Sequence, residues 1–344
     1  MRNETIKNIY AYSGNLEIRV DRRTELLGII EIISNYKKKY PNLLEVHGNK
    51  EYIEGIEKTF NKYRDYKVIQ LFNKIILNNN FSYDAPICIF LELDDNFTFN
   101  KLNDYPFKDR LNCDTDILEM LKLLPSFAKE INFDKFYINN KKRYEKYINY
   151  VKKELDDKKF IEFLLNYYNI NKENIFVVNL IPFQSKFNYG TKHENIIYAS
   201  ISGNYNSKNE EELFSLYPNI YLLYHEFSHS FINPLTYKYN IIKEDNPIFN
   251  GIKDKMKSIK YVDNCTILNE HIIRALTARA ILLIEKDEDW YKRRIEKEKS
   301  LGFIYIENII ESLIYYENNR DKYKNIDEYY PIIIENMSVG WIIV

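Results

Sequence analysis

Residues 225–229 read His225-Glu226-Phe227-Ser228-His229, and this pentapeptide decides how the rest of the chain is read. Residues four apart on an α-helix share a face, so two imidazoles at this spacing can turn toward one metal ion. Glu226 follows the first histidine by one position, about 100° around the helix. Its carboxylate is thereby set beside the metal, near an open coordination position, instead of on it. Two neutral imidazoles leave zinc acidic enough to lower the pKa of a bound water toward ~7. The neighbouring carboxylate can take that water's proton and pass it to a leaving amine. The chain has only 5 His in 344 residues, so H-E-x-x-H inside a helical pattern is a specific signal. Leu222, Leu223, Phe227 and Phe231 give the motif a face to bury. The competing reading is a pair of structural histidines beside a surface glutamate.

Working outward, Asn209–Phe231 is expected to be a helix opened by a capping box, Ser207 with Glu210. Pro218 should kink or restart it, and Pro234 should end it. Upstream, Asn174–Phe183 (NIFVVNLIPF) and Asn195–Ser202 (NIIYASIS) are β-branched and aromatic and are expected to be strands of a small sheet. The connection Gln184–Glu194 carries Asn188-Tyr189-Gly190, a turn signal. The N-terminal half predicts helices over Thr24–Tyr40, Glu51–Leu77, Asp116–Ile131 and Lys141–Tyr168. Asp263–Ile284, Glu288–Lys299 and Phe303–Tyr316 should be helices too, with Glu288–Lys299 a solvated face of mixed charge. The acidic pairs Asp94-Asp95 and Asp156-Asp157 are expected to cap elements or sit in turns. The fold class expected is α+β and mostly helical, with residues 1–170 a helical N-terminal region and residues 171–344 the catalytic region.

A catalytic zinc site needs a third protein ligand. No further Gly and His follow closely, since Pro234, Leu235 and Thr236 come next. Asn269-Glu270-His271 opens the most regular downstream helical stretch, 41 residues after His229 (270 − 229). A carboxylate among Ile273, Ala275, Leu276 and Ala280 needs a partner. Metal is one partner and Arg274, four residues on, is another. Glu270 is therefore the expected ligand, ahead of His271. His47 and His193 are expected at the surface, with His193 the one of the two that can line a cleft.

His225-Glu226-x-x-His229 with Glu270 resembles the gluzincin clan of zinc metallopeptidases, of which thermolysin is the familiar member. The wider chain resembles a poorly characterised bacterial family of predicted metallopeptidases, known mainly as a domain of unknown function. The stretches that carry this second resemblance are Val20 to Leu27, Phe81 to Pro86, Asn188-Tyr189-Gly190, and His225 through Asn233-Pro234. The resemblance implies a zincin-like catalytic core and a peptide or protein substrate. It also implies an edge strand above the metal helix that pairs with extended substrate, a role for which Asn195–Ser202 is placed. The sequence departs from the thermolysin pattern at Arg274, where that pattern has an Asp orienting a ligand imidazole. The exopeptidase signature of aminopeptidase gluzincins, Gly-x-Met-x-Asn, is absent, which favours endopeptidase action. A tyrosine or histidine commonly stabilises the oxyanion in the clan; Tyr261, Tyr329 and Tyr330 are the candidates, with Arg274 a fourth.

Composition excludes several other classes. Lys+Arg 49 against Asp+Glu 50 leaves a net charge of −1, without the basic excess of a dedicated nucleic-acid binder. No 18-residue apolar run predicts a membrane span. Tyr 31, Phe 20 and Trp 2 supply material for a large core, and 9 Gly with 9 Pro argue against a linker-rich or disordered chain. Cys88, Cys113 and Cys265 are too few and too scattered for a disulfide framework or a thiolate zinc site. The polar start, Met1–Tyr10, lacks an apolar signal segment, so a cytoplasmic setting is expected; a chain with its leader removed would look the same. The reading these observations carry is a Zn2+-dependent peptidase in which His225, His229 and Glu270 hold the metal and Glu226 is the general base. The alternatives are a metal-dependent hydrolase of a non-peptide amide, and an inactive zinc-bearing scaffold that binds a partner.

Overall fold

A computed structural model describes residues 6–44, 47–78, 81–99, 114–155, 160–170, 173–210, 212–216 and 220–339. Asp156-Asp157, Cys113 and Pro218 lie outside the described residues. The architecture is α+β and mostly helical, with one five-stranded mixed sheet. Its strands are β1 (Ile9–Ser13), β2 (Leu16–Val20), β3 (Ile175–Ser185), β4 (Tyr189–His193) and β5 (Ile196–Gly203), in the order β1-β2-β3-β5-β4. β1 and β2 are an antiparallel hairpin with Ile9 opposite Val20 and Ser13 opposite Leu16. Gly14 takes φ +57 in the tight turn between them, a conformation that side chains on Cβ disfavour. β2 then runs parallel to β3, Leu16 opposite Phe176 and Arg19 opposite Asn179. Every residue of β3 after Ile175 is buried, as expected for an inner strand covered on both faces.

The sheet corrects two expectations. The connection after Phe183 is not a plain turn, because Tyr189–His193 is a strand. β5 is an inner strand, so the edge position beside it belongs to β4. Two of the long N-terminal helices are interrupted. Thr24–Tyr40 becomes Arg22–Ile33 and Tyr36–Lys39, with Ser34 ending the first and its hydroxyl donating to the Glu31 carbonyl at 3.1 Å. Glu51–Leu77 becomes Lys50–Phe60 and Lys67–Asn78. Within Lys141–Tyr168 the described residues are helical up to Tyr168, as Lys141–Leu155 and Phe160–Tyr168. The capping-box helix does not form over Asn209, Glu210 and Glu212–Leu216. The Ser207 hydroxyl instead donates to the Asn209 carbonyl at 2.6 Å, and the helix starts at Tyr221. That helix runs through the exposed Pro234 to Tyr239. Asp94 does hold a turn, accepting from the Asn96 and Thr98 backbone N–H groups.

The chain forms two compact units. The first comprises residues 1–156, 176–189 and 198–217. Its central helix is Arg22–Ile33, capped by the Asp21 carboxylate on the Arg23 N–H and buried over its whole length. Among the carboxylates buried in this unit are Glu25, held by the hydroxyls of Tyr52 and Tyr144, and Glu31, held by Gln184. Cys88 is buried in it. The second unit comprises residues 157–175, 190–197 and 218–344. Here helix Tyr221–Tyr239 packs on helix Asn264–Ala280, which is covered in turn by Ile306–Asn318. Leu223, Phe227, Ile232, Ile272, Ile273, Leu276, Ile309 and Leu313 form the core of this stack, each fully or almost fully buried. No helix among the described residues is long and apolar enough to cross a membrane.

Candidate metal centre

Two helices of the second unit supply the site. Helix Tyr221–Tyr239 carries His225 and His229 one turn apart on one face, as their spacing requires, with ring centroids 5.0 Å apart. Helix Asn264–Ala280 is started by Asp263, whose carboxylate accepts from the Thr266 N–H, and it delivers Glu270 opposite the histidines. Donor atoms of His225, His229 and Glu270 lie within 4.8 Å of one another. His225 Nε2 is 3.6 Å from Glu270 Oε2, and His229 Nε2 is 3.6 Å from Glu270 Oε1.

The donor spacing can be tested against a metal. At 3.6 Å these pairs are too long for hydrogen bonds. For a tetrahedral zinc with bonds of ~2.0–2.1 Å, neighbouring ligand atoms stand roughly 3.4 Å apart. The observed separations match that edge within a few tenths of an ångström. His225 is buried, and its Nδ1 has no hydrogen-bond partner among the described residues. His229 is better supported, with Nδ1 at 3.3 Å from Asn233 Oδ1. The residues present fit a divalent ion with a preference for imidazole and carboxylate donors.

Electrostatics act in the same direction. Burial, then His229, Arg274 and Arg294, push the pKa of His225 well down, so its ring is neutral and its lone pair is available. Glu226 is also buried, with Oε2 4.0 Å from His229 Nε2. Burial and the Glu270 charge push its pKa well up, opposed by Arg274 and by the backbone N–H of Gly190, which donates to its carboxylate. Glu226 therefore stands beside the donor group without belonging to it.

Other sequence expectations resolve as follows. The Glu270–Arg274 ion pair does exist: Arg274 Nε donates to Glu270 Oε2 at 3.0 Å. It engages one oxygen and leaves Oε1 facing His229. His271 is outside the donor group, packed among Phe249, Phe303 and Tyr305 with Nδ1 2.8 Å from the Ile267 carbonyl. Of the tyrosines, Tyr261 reaches the cluster, its hydroxyl accepting from Arg274 at 3.1 Å. Tyr329 and Tyr330 are core residues bonded to Ser312 and Thr236. His47 is exposed against Tyr205, and His193 ends β4 partly buried. A second grouping of metal-type side chains, Glu244, Asp263 and Cys265, is occupied with starting the helix: Glu244 accepts from the Asn264 N–H, and Asp263 from Thr266.

The sequence reading missed two features. Gly190 begins the part of β4 that lies against helix Tyr221–Tyr239. A Cβ there would fall 1.8 Å from the Glu226 carbonyl oxygen, so only glycine fits, and the turn signal disguised this close approach. The stretch Glu288–Lys299 is not wholly a solvated face, because Arg294 is 7% and Glu298 0% exposed. Their spacing of four, flanking Ile295 on one helical face, was the available signal.

Comparison with protein families matches residues 16–336 to a single model, described as Domain of unknown function (DUF4932), and the chain belongs to that family. Comparison with curated proteins and with solved structures finds no match.

Proposed function

We propose that this member of the DUF4932 family is a zinc-dependent metallopeptidase with a zincin-like catalytic core, acting as an endopeptidase. The observation that carries the reading is the convergence of His225, His229 and Glu270 from two helices at metal-sharing distances, with the Glu226 carboxylate buried beside them. When bound, zinc supplies a Lewis acid that acidifies water and polarises a carbonyl. His225, His229 and Glu270 would hold it. Glu226 takes the proton from the attacking water and gives it to the departing amine. The Gly190 N–H fixes the orientation of that carboxylate. β4 is at the sheet edge, and its backbone beside Gly190 is the strand on which an extended peptide would align, the role first expected of β5. Tyr261, held on Arg274, is the residue of this cluster suited to donate to a developing oxyanion.

The test is Glu226→Gln, which keeps size and hydrogen bonding and removes the base. The variant should fold, retain one zinc per chain, and lose ~10²–10⁴-fold in turnover of an unstructured protein substrate. Unchanged turnover in the variant refutes the mechanism. A wild-type chain that holds zinc and cleaves no peptide or protein shifts the assignment to a binding scaffold, and cleavage confined to small non-peptide amides shifts it to an amidase.

A further inference from the structure

Glu270 does not stand alone opposite the histidines. Arg274, one turn further along the same helix, brings two nitrogens to a single oxygen of it: Nε and Nη2 are each 3.0 Å from Glu270 Oε2. The third nitrogen, Nη1, donates to Glu298 Oε2 at 2.8 Å. Glu298 has no solvent exposure, and its other oxygen is held by Arg294 at 2.5 Å. The Arg274 guanidinium lies 4.3 Å from the Phe303 ring centre, and Tyr261 accepts from Nη2 at 3.1 Å. Four charges thus alternate in sign, Glu270, Arg274, Glu298 and Arg294, all nearly or wholly buried.

A buried ion chain of this kind is a poor source of stability, since apolar residues of similar volume would serve as well. What it does provide is orientation. With Oε2 engaged by a planar fork, the Glu270 carboxylate cannot rotate freely, and it keeps Oε1 3.6 Å from His229 Nε2 and Oε2 3.6 Å from His225 Nε2. We infer that Arg274, anchored by Glu298, is the positioning residue of the third metal ligand, holding the Glu270 carboxylate turned toward the two imidazoles. This inference rests on the metal reading above. In that role Arg274 stands where the thermolysin pattern has an aspartate, and it supports the carboxylate ligand rather than an imidazole. Outer partners of metal ligands commonly contribute ~10–100-fold in metal affinity.

The experiment is zinc affinity by competition with a chromophoric chelator, together with the visible spectrum of the cobalt(II)-loaded chain, in wild type, Glu298→Gln, Arg274→Lys and Glu270→Ala. In Glu298→Gln both consequences have one sign: Arg274 loses its anchor, and its charge, less compensated, opposes the ion more strongly. Zinc affinity should fall ~10–100-fold, and the cobalt spectrum should change, because the ligand carboxylate is no longer fixed. Arg274→Lys replaces the fork by a single donor and should fall between wild type and Glu298→Gln. It also keeps the inference testable if two arginines without Glu298 prevent folding. Wild-type zinc affinity and an unaltered cobalt spectrum in a folded Glu298→Gln or Arg274→Lys chain overturn the positioning role while leaving the metal reading intact. No zinc uptake by wild type, or uptake unaffected by Glu270→Ala, overturns the metal assignment itself.

Discussion

Gly190→Ala places a single methyl group where β4 meets the metal helix. An added Cβ would stand 1.8 Å from the Glu226 carbonyl oxygen, 2.7 Å from its carbonyl carbon and 2.9 Å from His229 Cβ. Carbon and oxygen pack no closer than about 3.3 Å, so the strand must retreat by roughly 1.5 Å. The obstacle is backbone and cannot swing aside. Overpacking of this kind typically costs ~1–3 kcal/mol, which for a chain of this size lowers the melting temperature by several degrees. The retreat also withdraws the Gly190 N–H from the Glu226 carboxylate, and a displacement of ~1 Å at reacting groups can cost ~10²-fold in rate. Gly55→Ala is the matched control. It lies inside helix Lys50–Phe60 with no atom within 4 Å of its added Cβ, so it should gain up to ~1 kcal/mol from helix propensity. Thermal melts in chelator, where no metal contributes, measure both packing terms, and turnover of the zinc-loaded chains measures the catalytic one. If Gly190→Ala melts and turns over like wild type, β4 does not lie against the metal helix in the way described.

Glu270→Ala should abolish tight zinc binding and His271→Ala should not; chelator competition reads both, and the reverse pattern would reassign the third ligand. Glu25, beside Tyr52, Tyr144 and Arg143, and Glu31, beside Gln184 and Tyr36, are pushed up by burial to about 7 and about 8. A carboxyl whose folded pKa is raised is most favourable to folding below its unfolded value, and that contribution is lost as pH rises to the folded value. Metal-free protein should therefore melt several degrees lower at pH 9 than at pH 6, and Glu31→Gln should flatten the upper part of that slope. A melting temperature that rises over this interval, or a slope unchanged in Glu31→Gln, would contradict this assignment. Saturating zinc should raise the melting temperature of wild type in proportion to the logarithm of its concentration, and should leave the His225→Ala,His229→Ala double variant unmoved.

The grouping of His225, His229 and Glu270 was legible in the sequence because helical spacing is a local property. A helix fixes which residues share a face, so His225 and His229 could be paired from spacing alone, and Glu270 stood out as a charge in an apolar stretch. The long-range parts were less legible. β1 and β2 are short, five residues each, and their hairpin was announced only by Gly14 and Asn15. β4 was hidden because Gly190 serves a tertiary approach that resembles a turn signal. Pro234 was read as a stop, yet the helix continues because Leu235 and Thr236 beyond it are buried, with Thr236 bonded to Asn269 and Tyr330. Ser207 and Glu210 fit a capping box in sequence, but Glu210 pairs with Arg143 and Tyr147 in the first unit instead. In each case a contact distant in sequence outweighed a local preference.

The most direct test of the central claim is the rate at which the metal-stripped chain cleaves an unstructured protein as zinc is added from zero to two equivalents. Cleavage should be absent without metal, rise with added zinc, level off at one equivalent, and stay at the floor throughout in Glu226→Gln. Cleavage that is independent of zinc, or one tightly bound zinc with no cleavage at any equivalence, would contradict it.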